Sequence, residues 1–240
     1  ASDGSVIEKS YGSFGFVIAQ ETGPERLVQG SGPAPGARPS SFRAEAYGVL
    51  AALRLLLRLS EYTNLDIQPP ITHWVDNQSV VRRLTDILDN PTLCCSDPLR
   101  PDWDVINEIR QTKGQLQHVQ YKLEWIRSHQ DTYNQYNTLR WEAKLNCDAD
   151  RLATTFHQSA HGKRLCNSVP LLPHVGAQLE LKGRTITTHF KTEIREAMIL
   201  PQYFNYLRQR FSWDEHTITL IDWDLFHRLI HPYDDRRSTM

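Results

Sequence analysis

What this 240-residue sequence lacks is the first guide to what it does. No apolar run approaches the ~18–20 residues that span a bilayer. The longest, residues 49–59, is interrupted by Arg54 and Arg58, and no basic-then-apolar leader opens the chain. A soluble protein without a membrane partner is expected. Cysteine is scarce: Cys94 and Cys95 are adjacent, Cys147 and Cys166 stand alone, and no C-x-x-C pair occurs. That excludes a zinc ribbon and a disulfide framework. A reducing, intracellular compartment is expected, cytoplasm and nucleus not being distinguished. Net charge is also nearly absent, with 27 Lys+Arg against 28 Asp+Glu, so no global basic field announces a nucleic-acid partner. Acidic residues gathered in a cleft would still bind metal and invert the local field. Repeats and low-complexity runs are missing too, which leaves an ordinary globular chain.

What is present reads as alternating strands and helices. Residues 13–19 (SFGFVIA) are aromatic and β-branched, and residues 26–30 form their hairpin partner across Glu21-Thr22-Gly23-Pro24. A loop at 31–41 precedes a long helix over 42–59, capped by Ser40 or Ser41, with Ala46, Leu50, Leu53 and Leu57 on its packing face. A strand over 71–76 and helices over 78–88 and 103–112 follow. Residues 119–126 alternate like a half-buried strand, and a helix over 148–156 ends the series. A further strand belongs beside Ala1-Ser2-Asp3, with Asp3 at its end. The chain therefore reads as a piece of something longer. The pattern predicts an α/β fold, a mixed sheet flanked by helices. Trp74, Trp103 and Trp125 are assigned to its core. Residues 1–160 make up this domain and 161–240 a small α+β extension of unread role. A linker is expected over 162–173, a hairpin over 177–187 turning at Lys182-Gly183, and helices near 190–200, 202–211 and 222–230. Trp213, Trp223 and Phe226 are the anchors of this extension.

Four carboxylates occupy distinctive places. Asp3 lies in Asp3-Gly4-Ser5, Glu45 near the start of the long helix, Asp76 where an apolar strand gives way to a helix, and Asp150 at the start of the last helix. Strand ends and helix starts converge on one edge of a layered α/β sheet. Carboxylates collected there repel one another unless divalent cations neutralise them. Their hard oxygens select Mg²⁺, with Mn²⁺ as a substitute. Two such ions ~3.5–4 Å apart activate water and stabilise the leaving oxygen of a phosphodiester.

The order of these motifs resembles the ribonuclease H family, and more closely the ribonuclease H domains attached to retroelement reverse transcriptases. The resemblance covers about residues 1–157. Its pieces are Asp3-Gly4-Ser5 with Gly12 and Gly15, Ser41-Phe42-Arg43-Ala44-Glu45, and Val75-Asp76-Asn77-Gln78. Leu123-Glu124-Trp125-Ile126-Arg127-Ser128-His129 and Asn146-Cys147-Asp148-Ala149-Asp150-Arg151-Leu152-Ala153 complete the set. The resemblance implies a five-stranded mixed sheet and two Mg²⁺ ions held by Asp3, Glu45, Asp76 and Asp150. It implies an endonuclease that hydrolyses the RNA strand of an RNA/DNA hybrid, leaving 5′-phosphate and 3′-hydroxyl ends, with a reverse transcriptase domain upstream. His129 matches a histidine on a mobile loop that assists proton transfer or product release. Gln78, with Asn77 beside it, matches a minor-groove contact. Ser40 and Ser41 lie where the family reads ribose 2′-hydroxyls.

The chain departs from the family's pattern in several places. Serines replace the usual asparagines at 40 and 41. Residues 89–102 carry only Arg100, so no basic handle for substrate stands there. Residues 130–143 form a connection longer than usual, which reshapes the His129 loop. Asp148 competes with Asp150 for the last ligand position; Asp150 is preferred because it directly precedes Arg151-Leu152-Ala153. Arg82, Arg83 and Arg127 either track phosphates or form a solvated face. Two other readings stay open: a non-catalytic binding platform of the same fold within a larger assembly, and a DNA nuclease of that superfold.

Overall fold

The computed structural model describes the chain except for residues 8–10, 21–24, 37–38, 64–69, 91, 95, 160–171, 175–178, 182, 224 and 226–240. Strands β1 (Ser2–Ile7), β2 (Tyr11–Ala19) and β3 (Arg26–Pro33) form an antiparallel meander. Strands β4 (Ile71–Val75) and β5 (Tyr121–Trp125) continue it in parallel on the other side of β1, giving the order β3-β2-β1-β4-β5. Helices α1 (Ser41–Thr63), α2 (Gln78–Asp89) and α3 (Trp103–Gln115) pack into the main core, where Leu50, Leu53, Leu84, Ile106 and Ile109 are all but fully buried. Helix α4 (Trp141–Gln158) packs with Val17 and Trp74 in a separate cluster.

The local causes are legible. Helix α1 starts where it does because the Ser40 hydroxyl accepts the Arg43 N–H at 3.1 Å, satisfying one of the orphan donors of the first turn. Helix α4 begins seven residues before the expected position 148. Trp141, Leu145, Ala149 and Leu152 recur at helical spacing in one apolar cluster, and this stripe carries the helix back over two more turns. Asp150 therefore sits mid-helix rather than at a helix start. Asp3 is likewise corrected: it is the second residue of β1, which runs on to Ile7 because β2 pairs with it over six residues. Trp74 and Trp103 pack against the core, but Trp125, the last residue of the edge strand β5, is half exposed.

Contacts divide the chain into two compact units, Ala1–Phe190 and Lys191–Met240. The first extends past residue 160. Leu172 is buried in the main core, and Glu108 accepts the His174 N–H at 3.2 Å. The expected hairpin is present as β6 (Leu179–Leu181) and β7 (Arg184–Ile186), with Gly183 at φ 73° in its turn. Just after it, the Thr187 carbonyl accepts the Asp102 N–H at 2.7 Å. Apart from Leu172 and Pro173, the expected linker lies outside the described residues, as do Phe226 and most of the helix expected near 222–230. In the second unit the two helices expected over 190–211 are one, α5 (Phe190–Phe211), which continues through Pro201. A short helix, α6 (Glu215–Leu220), follows, and the Trp223 ring packs on Tyr203 and Phe204. Trp213 is partly buried beside Phe211. No helix among the described residues is long and apolar enough to cross a membrane.

Candidate active site

Three of the four expected carboxylates meet. Ligand oxygens of Asp3, Glu45 and Asp76 all lie within 4.8 Å of one another. The parallel register explains the first contact: Ser2 faces Val75 across β1 and β4, so the next residue on each strand, Asp3 and Asp76, emerges at the same level. Two glycines bring in the others. A Cβ on Gly4 would stand 2.3 Å from the Glu45 nitrogen, so only a bare strand lets α1 approach closely enough to deliver Glu45. On Gly15, which pairs with Asp3, a Cβ would stand 2.2 Å from the Ala149 carbonyl oxygen, so α4 rests directly on β2 and brings Asp150 alongside.

Electrostatics mark the cluster as incomplete by itself. Asp3 and Glu45 are buried, and their acidity is suppressed by burial first and then by the neighbouring carboxylates. Asp3 is pushed up to about 8, with the Asp76 charge the second cause. Glu45 is raised well above its ordinary value, and its Oε2 is a buried oxygen that accepts no hydrogen bond. Asp150 is raised too, by burial foremost, with Asp131 and Asp76 adding to it and His129 opposing. Oxygen-only ligands, a buried acceptor without a donor and mutual repulsion fit a hard divalent cation.

Asp148 and Asp150 separate clearly. Asp148 is buried and bound by Arg26 at 2.7 Å, Arg151 at 3.0 Å and the Tyr136 hydroxyl at 2.9 Å. Asp150 is one-third exposed and lies in the field of Asp3 and Asp76. His129 sits at the rim, two-thirds exposed, with Nδ1 4.0 Å from Asp150 Oδ2.

The expected substrate contacts divide into engaged and exposed groups. The Ser40 hydroxyl caps α1 and reaches Asp102 at 3.4 Å, whereas Ser41 is exposed. Asn77 caps α2, its Oδ1 accepting the N–H groups of Ser79 and Val80 at 3.1 and 3.3 Å, and Gln78 is exposed beside it. Arg82 and Arg127 are exposed, while Arg83 packs over the Phe42 ring at 5.3 Å. Cys94 and Cys147 are free thiols.

Two residues near the carboxylates were assigned no role by the sequence. Asn146 donates from Nδ2 to Asp3 Oδ2 at 3.1 Å, while the Gly4 N–H donates to Asp3 Oδ1 at 2.6 Å. Its signal was the i, i+4 spacing to Asp150, visible only once α4 is begun at Trp141. Asp131 adds a fifth carboxylate near Asp150, and nothing in its sequence neighbourhood advertises it.

No family model matches the chain, and no curated protein matches it. Among solved structures it is similar to the protease-reverse transcriptase of prototype foamy virus, at 20% identity and a TM-score of 0.46. That alignment covers 64% of this chain and 20% of the viral one. The isolated ribonuclease H domain of that virus aligns at 19% identity and a TM-score of 0.45, over 64% of this chain and 90% of the domain. A ribonuclease H1 of the archaeon Halobacterium salinarum aligns at 15% identity and a TM-score of 0.39, over 64% and 91%. The strand order and its flanking helices settle the architecture. That architecture is the five-stranded mixed sheet with flanking helices that the sequence resemblance implies.

Proposed function

We propose that the chain is a divalent-metal-dependent endoribonuclease that hydrolyses the RNA strand of RNA/DNA hybrids, working within a retroelement reverse transcriptase. The observation that carries this reading is the cluster of buried Asp3 and Glu45 with half-buried Asp76, and its unpartnered Glu45 oxygen. Asp3, Glu45, Asp76 and Asp150 would hold Mg²⁺ or Mn²⁺. When bound, such ions supply Lewis-acid activation of water and charge neutralisation at the scissile phosphodiester.

The chain's own groups do the rest. Asn146 and the Gly4 N–H hold one oxygen each of Asp3, fixing the carboxylate plane. Burial on α1 fixes Glu45. His129, exposed at the rim beside Asp150, would exchange a proton with the departing 3′-oxygen and with bulk water. Ser41 and Gln78, exposed at the N-termini of their helices, are available to the minor groove and ribose 2′-hydroxyls, which would make selection depend on RNA character rather than sequence. Products carry 5′-phosphate and 3′-hydroxyl ends.

The test is cleavage of an end-labelled RNA/DNA hybrid with Mg²⁺ by the wild type and Asp76→Asn, with duplex DNA as competitor. Cuts confined to the RNA strand, abolished by EDTA and lost by about 10²–10³-fold or more in the variant, are expected. Undiminished cleavage by Asp76→Asn, preference for duplex DNA, or no cleavage by the folded, metal-supplied wild type would overturn the reading.

A further inference from the structure

His129 presents a mechanical problem. Its backbone is left-handed, at φ 48° and ψ 40°, an uncommon conformation for a side-chain-bearing residue. Such a conformation persists only where the surroundings hold it. The His129 side chain is two-thirds exposed and provides little packing of its own. The restraint must come from the long connection that follows, between β5 and α4.

That connection is fastened at its far end. The Tyr136 hydroxyl donates to Asp148, 2.9 Å from Oδ1 and 3.0 Å from Oδ2, and accepts from Arg26 Nη2 at 2.8 Å. Arg26 reaches across from β3, bonds Asp148 through Nε at 2.9 Å and lies over the Trp141 ring at 4.3 Å. Lys144 Nζ donates to the Asn137 carbonyl at 2.9 Å, and Leu139 is buried against Ile126 and Ala143. Nearer His129, Asp131 lies beside Cys147 on α4, and the Thr132 N–H closes a turn onto the His129 carbonyl at 3.2 Å. Three elements thus converge on one phenol: β3 through Arg26, α4 through Asp148, and the loop itself.

We infer that Tyr136, clamped by Arg26 and Asp148, is a positioning residue that holds the 129–140 loop so that His129 stands beside Asp150. The inference rests on the nuclease reading for its kinetic consequence but not for its structural one. Charge-assisted bonds to a buried carboxylate are among the stronger hydrogen bonds a loop can make. Tyr136→Phe removes the hydroxyl and leaves the ring in place, so the fold is not at risk.

Hydrogen exchange on the full chain reads the structural part. In Tyr136→Phe the amides of Thr132, Thr138 and Leu139 should exchange about tenfold faster, with the sheet unchanged. Hybrid cleavage reads the rest: kcat should fall about tenfold with KM within about twofold. In a His129→Ala background, Tyr136→Phe should cost nothing further, because the residue it positions is gone. Unchanged exchange overturns the inference. So does a kcat loss that is as large without His129 as with it, since that marks a general structural role. If the wild type does not cleave hybrids, the nuclease reading fails, and the exchange result alone decides whether Tyr136 holds the loop.

Discussion

Arg43 and Glu45 stand two residues apart on α1, 1% and 3% exposed, with opposite charges and opposite surroundings. Arg43 is answered on every side. Both its Nη atoms bind Asp104, at 2.8 and 2.7 Å, and Nη1 also binds Asp102 at 3.2 Å. Nε donates to the Pro35 carbonyl, and Nη2 reaches the Tyr47 hydroxyl. Burial works against its charge most strongly, but Asp104 and the other partners outweigh burial and the net push is toward the charged form. Glu45 has a buried oxygen without a donor and two further carboxylates for neighbours. The lesson is one of completeness: a buried charge with its partners in the fold braces the scaffold, and a buried charge without them awaits something from outside. The Arg43 brace also reaches beyond α1, because Asp102 takes the Thr187 carbonyl next to the β6–β7 hairpin.

This contrast breaks most visibly at Arg43. Arg43→Met leaves the buried Asp102 and the half-buried Asp104 without their cation and should lower the unfolding free energy by about 3–5 kcal/mol, read by denaturant titration. A loss under about 1 kcal/mol would mean the network braces nothing. At the acidic cluster the sign inverts. Asp3→Asn puts a neutral amide in place of a carboxyl that burial forces to hold its proton, and should raise the stability of the metal-free protein at neutral pH by about 1–2 kcal/mol while abolishing hybrid cleavage. Destabilisation by that substitution would place the cluster with the scaffold instead. The gentlest effect is on pH dependence. The Asp3 carboxyl, pushed up to about 8 in the folded chain, lies above its unfolded value near 3.9. The folded state therefore holds the extra proton between those values, and the contribution of Asp3 to metal-free stability is greatest below the lower one. It should decline as pH rises toward about 8 and then level. Thermal melts across pH 4–9 read this slope; Mg²⁺ should raise Tm more at pH 8 than at pH 5, and Asp3→Asn should flatten the curve.

Asp3, Glu45 and Asp76, which the fold brings together, were legible because each stands in a short motif, and the order of those motifs along the chain is itself information. The sheet was legible for a similar reason, from aromatic and β-branched content in β2, alternation in β5 and apolarity in β4. Asp148 against Asp150 was not decidable from spacing alone. Two residues apart on a helix point to nearly opposite sides, and which side faces the site depends on Arg26, 122 positions away. Trp125 misled because an edge strand and an inner strand carry the same alternation. The hairpin after residue 177 was readable from its turn, yet its attachment beside Asp102 was not, since backbone-to-backbone bonds leave no trace in side-chain pattern.

The distances along the chain between the carboxylates have a kinetic meaning. Asp3, Glu45, Asp76 and Asp150 come from β1, α1, the end of β4 and α4, and Asp150 completes the group only when α4 rests on Gly15. Contacts of such long sequence separation close late, after the entropy of the intervening loops has been overcome. Within this domain the antiparallel meander carries Asp3 early, but the site is not assembled until the chain as far as α4 has docked. Assembly order itself then makes the acidic cluster a late reporter of folding, since its carboxylates draw together only once the whole domain is in place.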